Sequence, residues 1–377
     1  MANGSSASVR IVWVDALKAM LIVLVVAGHV FGTAAHYVPS CNRGYYEFIF
    51  KVIYSFHMPA FFVLAGLMTS VSSQSVSVAL RPGKSFKRLL VPYFFFGVVG
   101  AIVYMVVMPC FAKVSAGATR YYDQFGGGEW WHTWASLLYG AAFPGTDGFR
   151  CNSVLWFLPC LFSVKLLGGL LLHMVGTAPR AVRAIILMII PIALIGWASQ
   201  YCHIPSLPYG LSQVVWYLPF FLIGYCLRPI LIGRGAKGIF TARFARFASR
   251  LFMLVAFAVL IWLIPDIVMS RPNLWWYFVA VVLGVLGSFL SIDISMRMSM
   301  WFPSLWFQLS VTSIGIMFLH KYIVLAMMVI PWTKRLWASS LPVGLLISVF
   351  VIIVSTAVAW AISACARRFA PWTIGAI

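Results

Sequence analysis

Long runs of apolar residues, each about 20 residues in length, recur along the whole chain and are separated by shorter polar segments. A transmembrane α-helix needs about 20 predominantly apolar residues to cross the hydrocarbon core of a bilayer, so each run predicts one spanning helix. The shortest runs are interrupted by Pro191 and Pro219. We therefore expect an all-α integral membrane protein of about ten spans, near residues 12–34, 50–72, 90–112, 154–175, 184–200, 210–227, 251–269, 274–292, 308–330 and 341–364.

No long Gly- or Ser-rich linker and no internal repeat interrupts this pattern, so we expect one membrane domain over residues 1–377. Basic residues are more frequent in alternate connections between the spans. The positive-inside rule then places both termini in the cytoplasm. The largest outer excursion, about 113–153, is expected to form a cap on the membrane surface. Its Trp130, Trp131 and Trp134 suit an interfacial aromatic belt or, as a sharper alternative, a platform on which a sugar stacks.

The composition agrees with a chain that lies mostly in lipid. The 377 residues are 63% hydrophobic and 9% charged, which no soluble domain could bury. The formal net charge of +20 would suggest a nucleic-acid partner in a soluble protein, but the basic residues lie between apolar runs and form no compact basic domain. We read them as topology signals and contacts to lipid headgroups, and we expect no nucleic-acid partner.

Seven cysteines show no CxxC pair and no spacing typical of metal ligands. Most lie in apolar runs and are expected to be small packing residues. Cys41 and Cys151 differ because both fall in predicted outer connections, where oxidation is possible. A disulfide between them is one hypothesis, and two free thiols are the alternative.

Charged and polar residues inside the first span point to function, since such residues are costly in lipid and normally face the bundle interior. Lys18 and His29 lie eleven residues apart, about three full turns, so they share one helix face with a rise of about 16 Å between them. Asp15, three residues before Lys18, is near enough for an ion pair. Gly28 leaves room beside His29 for another group to approach closely.

Other polar and aromatic residues are predicted at the depth of His29. His57 lies in the outer third of the second span, beside Pro59, which should kink the helix there. His320 lies in the outer half of the ninth span, and Trp156 opens the fourth. Each histidine has a structural alternative as a hydrogen-bonded core residue. A metal site is not expected, because no Asp, Glu or Cys accompanies the histidines at ligand spacing.

The connection between spans two and three reads LRPGKSFKRLLVPYFF and places Lys84, Lys87 and Arg88 together at the start of the third span. These charges could serve only as a positive-inside anchor. Alternatively, they form a clamp for the phosphates of a cytoplasmic cofactor, in which Arg offers forked donors and Lys a point charge.

The order of motifs VDALK, VAGHV, FHMPAFFVLAG, KSFKRLLVPY, LWFLPCLF and SIGIMFLHKYI resembles acyltransferase family 3, most closely its fucose 4-O-acetylase-like branch. These are polytopic membrane enzymes that move acyl groups, usually acetyl, onto carbohydrates. The basic residue and histidine of the family's first motif fall on Lys18 and His29, with Lys where many relatives have Arg. Its second basic motif falls loosely on Lys84 and Lys87, where lysine loses the forked pairing of arginine.

The resemblance implies transfer of an acyl group, expected to be acetyl, from cytoplasmic acetyl-CoA to a hydroxyl of an envelope carbohydrate such as a polysaccharide or lipopolysaccharide. It implies a multi-pass protein of the bacterial inner membrane, and we expect no soluble esterase-like domain in this chain. We expect His29 to act as general base or as a covalent acyl relay. His57 is expected to orient His29 or to stabilise the oxyanion. The remaining candidates are Lys18 and Asp15 for the electrostatics of the catalytic set, Lys84, Lys87 and Arg88 for acetyl-CoA, and Trp156 and His320 for the substrate.

Two other classes of function remain. A transporter or flippase of a lipid-linked sugar would also hold polar residues at the membrane midplane, but the two halves of this chain show no similarity to each other. A non-catalytic membrane scaffold or sensor would tolerate substitution of His29 and Lys18. Consumption of acetyl-CoA by the purified protein separates the enzyme from both.

Overall fold

The structure, a computed structural model, describes residues 10–69, 82–107, 109–110, 130–140, 152–176, 179–202, 207–232, 243–264 and 273–375. These parts of the chain are almost entirely helical and contain no strand. The α-helices are α1 (Val12–Ala34), α2 (Ser40–Tyr54), α3 (His57–Leu67), α4 (Pro82–Ser85), α5 (Val91–Ile102), α6 (Trp130–Tyr139), α7 (Phe157–Val175), α8 (Pro179–Tyr201), α9 (Leu211–Leu231), α10 (Arg243–Leu263), α11 (Leu274–Met298), α12 (Pro303–Val311), α13 (Ser313–Val329), α14 (Pro331–Trp337) and α15 (Leu341–Phe369).

Two π-helical segments and three short 3-10 helices complete the described elements. The π-helices π1 (Phe86–Leu90) and π2 (Val103–Val107) lie on either side of α5. The 3-10 helices precede α7 (Ser153–Trp156), precede α9 (Pro208–Gly210) and follow α15 (Pro371–Ile374). Single π-helical turns inside α-helices are frequent at functional sites, and π1 contains Lys87 and Arg88.

The expected all-α membrane fold is confirmed, whereas the expected number of spans is not. Within the described residues, seven helical segments are long and apolar enough to cross a bilayer, and the bent pair α12–α13 makes an eighth if it counts as one span. The runs expected near 184–200 and 251–269 appear as the shorter apolar stretches Ile185–Ser199 and Ser249–Leu263. The helices that contain these stretches, α8 and α10, extend beyond them.

Large apolar side chains on the outside of the bundle agree with a lipid environment. Trp262 is 77% exposed, Phe252 71% and Leu346 70%. In water such side chains would form an extensive apolar surface of a kind that soluble monomers rarely expose. In a bilayer the same side chains contact acyl chains without that cost.

Helix α1 lies at the centre of the bundle. It packs against α2, α3, α11, α12, α13 and α15. Most of its residues are buried, including Leu17, Leu21 and Val30. Because Lys18 and His29 both belong to this central helix, one rigid element carries a side chain toward each end of the bundle interior.

The second predicted span is broken where Pro59 requires it. Helix α2 ends at Tyr54 and α3 begins at His57, with Ser55 and Phe56 between them. Proline has no N–H, and its ring obstructs the carbonyl of the residue four positions earlier, which here is Ser55. The predicted kink beside His57 is therefore confirmed.

Candidate functional site

His29 projects from α1 into a group of aromatic rings and remains partly exposed. Its ring centroid lies 5.1 Å from that of His320 on α13 and 6.2 Å from that of Tyr54 on α2. The ring of Tyr54 in turn lies 4.7 Å from that of His57 at the start of α3. The predicted convergence of the three histidines is therefore confirmed. We refer to His29, Tyr54, His57 and His320 as the histidine cluster.

Hydrogen bonds to the backbone determine the tautomers of two histidines. The Nδ1 of His57 lies 2.8 Å from the carbonyl oxygen of Ile53, and the Nδ1 of His320 lies 2.9 Å from that of Ile316. A carbonyl oxygen only accepts, so each Nδ1 carries the proton and donates it. In the neutral ring, Nε2 is then an acceptor with a free lone pair.

The Nε2 atom of His320 is buried and has no hydrogen-bond partner in the described part of the chain. The side chain itself is fully buried. Leaving a buried polar atom unpaired costs about 1–3 kcal/mol, so this atom is a strong acceptor for any donor that enters the cluster. In this tautomer neither His57 nor His320 can donate from Nε2 to an oxyanion.

Tyr54 is a member of the cluster that we did not predict from the sequence. A Cβ atom added to Gly28 would lie 2.6 Å from Tyr54, and one added to Gly32 would lie 2.9 Å from Phe50. The rings of Phe50 and Tyr54 stack at 4.0 Å. The predicted close approach at Gly28 is thus confirmed, and the sequence signal was a pair of glycines four residues apart facing a pair of aromatics with the same spacing.

At the other end of α1 the carboxylate of Asp15 is held by residues other than Lys18. Its Oδ2 lies 2.7 Å from Nε of Arg10, and its Oδ1 accepts a hydrogen bond of 2.8 Å from the hydroxyl of Ser310 on α12. The expected ion pair between Asp15 and Lys18 is not formed. Among the described residues, Lys18 therefore has no carboxylate at salt-bridge distance.

Several basic side chains meet at this end, which we call the basic end and define by Arg10, Lys18, Arg88 and Arg367. The guanidinium groups of Arg10 and Arg367 both lie over the ring of Phe307, at 4.0 and 5.8 Å from its centroid. The charge of Arg88 is near enough to that of Lys18 for the two to interact. Lys84, Lys87 and Arg88 are exposed, and their role in binding a cofactor stays a prediction.

Trp156 does not join the histidine cluster. It stacks on Tyr217 with ring centroids 5.7 Å apart, and Tyr217 stacks on Phe62 of α3 at 4.3 Å. Within the described residues no ring contact links Trp156 to a histidine. The neighbouring Asn152 is the more direct link to the cluster, because its amide donates to the carbonyl of Phe318, two residues before His320.

A metal site was not expected from the sequence, and a disulfide between Cys41 and Cys151 was one hypothesis. Within the described residues, no group of three His, Cys, Asp or Glu side chains is arranged to hold a metal ion. Cys41 is exposed, whereas Cys151 lies outside the described residues, so their disulfide stays a prediction.

Most of the predicted cap between residues 113 and 153 also lies outside the described residues. Helix α6 is the main described part of it, and it packs on α5 through a hydrogen bond from Tyr93 to the carbonyl of Leu137.

The chain is similar to known proteins over most of its length. Residues 11–364 match the family Acyl_transf_3, described as an acyltransferase domain. The nodulation protein NolL of Sinorhizobium fredii (strain NBRC 101917 / NGR234) is 28% identical over 156 residues, which span 41% of this chain and 41% of that protein. No solved structure matches. Because the family match extends over nearly the whole chain, this multi-pass membrane protein belongs to the Acyl_transf_3 family of acyltransferases.

Proposed function

We propose that the protein transfers an acetyl group from acetyl-CoA, bound at the basic end, to a hydroxyl of an envelope carbohydrate that reaches the histidine cluster from the opposite side. The observation that carries this proposal is His29: a partly exposed imidazole, 5.1 Å from the ring of His320, on the same central helix as Lys18. In a bacterial cell the basic end would face the cytoplasm, in which acetyl-CoA is made.

The distance along α1 from Lys18 to His29 is close to the length of the pantetheine arm of the donor. Eleven residues separate Lys18 from His29, which is a rise of about 16 Å along the helix. This distance is of the same order as the pantetheine arm that joins the thioester to the nucleotide of CoA. With its phosphates at the basic end, the donor would therefore present its thioester carbonyl beside His29.

His29 then acts as general base. It removes the proton of the acceptor hydroxyl while the oxygen attacks the thioester carbon. The new C–O bond forms, the C–S bond breaks, and the proton passes from the imidazole to the leaving thiolate. In the reacting complex the Nε2 of His320, which has no partner among the described residues, would accept the remaining N–H of His29, and the other nitrogen of His29 would then serve as the base.

A covalent relay is the variant of this mechanism. The imidazole of His29 would attack the thioester and release CoA, and the acceptor hydroxyl would then take the acetyl group from the ring. Both variants need the same partly exposed ring, and both give the same products. Rapid-quench trapping of an acetylated peptide that contains His29 would distinguish the relay from direct transfer.

The function is tested with purified protein in lipid nanodiscs, isotopically labelled acetyl-CoA and a carbohydrate extract from the cell envelope. We expect acetyl-CoA to be consumed and one acceptor, identified by mass spectrometry, to become heavier by one acetyl unit. Movement of a lipid-linked sugar across a bilayer without consumption of acetyl-CoA would contradict the proposal and support a transporter instead.

The segment after α15 determines the position of Arg88. Gly375 has a φ of +70°, and a Cβ added to it would lie 2.4 Å from the carbonyl oxygen of Arg88. Thr373 and Ile374 are buried, and Trp372 packs edge-on against Phe95 of α5 at 5.3 Å. Only glycine allows this backbone contact, since other residues are strained at such a φ.

We therefore expect Gly375→Ala to displace π1 and to raise the KM for acetyl-CoA about five- to tenfold, a cost of about 1–1.4 kcal/mol. The kcat should change little, because the histidine cluster is untouched. Gly83→Ala, in the neighbouring helix α4, is the matched control, since its added Cβ meets no atom within 4 Å. Equal kinetics in the two variants would show that Gly375 does not position Arg88.

A further inference from the structure

Lys165 lies on the buried face of α7 and has no part in the function as derived so far. Leu158, Gly169 and Leu172 lie on the same face, because seven residues are close to two turns and four residues are close to one. All three are buried, whereas Leu166 and Leu167 on the neighbouring face are exposed. The Lys165 side chain is thus directed toward the bundle, not toward lipid.

Lys18 is directed inward in the same way from α1. Its helix face also carries Val14, Leu21 and Val25, which are all buried. Helix α7 packs against π1, the segment that contains Arg88. The charges of Lys18 and Lys165 interact with each other and with that of Arg88. Three separate elements therefore bring three positive charges together at the basic end.

Among the described residues, the negative charge that interacts with this grouping is that of Asp15, which acts on Lys18. Within the described residues, none of the three side chains has a carboxylate at salt-bridge distance, and the nearest acid on α1, Asp15, is held by Arg10 and Ser310. Like charges that are partly removed from water repel each other, and burying them unpaired is costly. Such a set is stable in the folded protein when an anion with several negative charges binds between the three groups.

We propose that Lys165, together with Lys18 and Arg88, binds the phosphate groups of the nucleotide part of the acyl donor. This inference rests on the proposed function and adds a binding residue that lies outside the basic segment at residues 84–88. Arg88 supplies a planar fork for one phosphate and is exposed at the entrance, whereas the lysines supply point charges deeper in the bundle.

The test compares two donors that carry the same thioester. Acetyl-CoA has phosphates and S-acetylpantetheine has none, so a phosphate-binding residue matters only for the first. We expect Lys165→Gln to raise the KM for acetyl-CoA about tenfold, leaving its kcat and the kinetics with S-acetylpantetheine unchanged. Lys165→Arg should largely retain the wild-type KM. Arg335→Gln, at an exposed arginine on α14, is the control for loss of one positive charge.

Direct binding of labelled adenosine 3′,5′-bisphosphate, measured in nanodiscs of neutral lipid, gives a readout that does not depend on turnover. We expect the wild-type protein to bind it and Lys165→Gln to bind it about tenfold more weakly. Anionic lipid that displaces this nucleotide from the wild-type protein would assign the site to lipid headgroups and overturn the inference.

Different experimental results would overturn the role of Lys165 and the proposed function. Unchanged nucleotide binding and KM in Lys165→Gln, beside an active wild-type enzyme, overturn the inference alone. Equal impairment with both donors also overturns it, because it indicates a structural role for Lys165. A wild-type protein that turns over neither donor contradicts the proposed function, and absence of nucleotide binding to that same protein overturns the inference as well.

Discussion

We expect His29→Ala to lose nearly all acetyl transfer while the protein retains its fold. Since a positioned general base contributes about 10²- to 10⁴-fold to a rate, we expect kcat to fall by at least about 100-fold. The side chain is partly exposed and makes no hydrogen bond within the described residues, so its removal leaves no buried partner unpaired and should cost little stability. The measurement is the rate of acetyl-CoA consumption by detergent-purified protein of verified thermal stability.

His36→Ala is the matched control for that substitution. His36 follows α1 by two residues and is exposed, so its loss should leave both the rate and the thermal stability unchanged. Wild-type turnover in His29→Ala would show that the imidazole is not the base. Loss of turnover together with loss of folded protein would indicate instead that His29 is structural.

We expect Gly66→Ala to force α3 and α9 apart and so to destabilise the protein. A Cβ added to Gly66 would lie 1.9 Å from the carbonyl oxygen of Phe221, and one added to Gly224 would lie 2.0 Å from that of Val63. Both obstacles are backbone atoms, which cannot move aside as a side chain does. We expect a loss of about 3 kcal/mol, at the upper end of the usual cost of overpacking, visible as a lower melting temperature and a lower yield of folded protein.

Gly44→Ala separates this steric effect from the general effect of adding a methyl group to a helix. Gly44 lies in α2, is exposed, and its added Cβ would meet no atom within 4 Å. Alanine is a better helix former than glycine by about 1 kcal/mol, so this variant should be as stable as the wild type or slightly more stable. If both variants melt like the wild type, the two helices do not cross as closely as described.

Features that depend on one segment alone were predictable from the sequence. The break at Ser55 and Phe56 follows from the missing donor of Pro59. The shared face of Lys18 and His29 follows from the helical repeat. The depth of His320 followed from its position within an apolar run, and its ring does lie 5.1 Å from that of His29. Each of these predictions needs only local geometry and the thickness of the bilayer.

Features that depend on which segments become neighbours were not predictable. Tyr54 could not be singled out among many aromatic residues until α2 was seen to pack on Gly28. The partner of Asp15 was predicted to be Lys18 because the two are close in sequence, whereas Arg10 and Ser310 compete for the carboxylate. Lys165 did not stand out in the sequence, since its significance depends on Lys18 and Arg88 reaching the same place.

The proposed mechanism requires that a thioester reach the imidazole of His29 from the basic end. The most direct measurement is an experimental structure with a CoA analogue in which a methylene group replaces the thioester sulfur, so that transfer cannot occur. We expect the phosphates beside Lys18, Arg88 and Lys165, and the analogue's carbonyl carbon within about 4 Å of the His29 ring. An analogue bound elsewhere, or a His29 side chain separated from the bound carbonyl by packed side chains, would contradict the account.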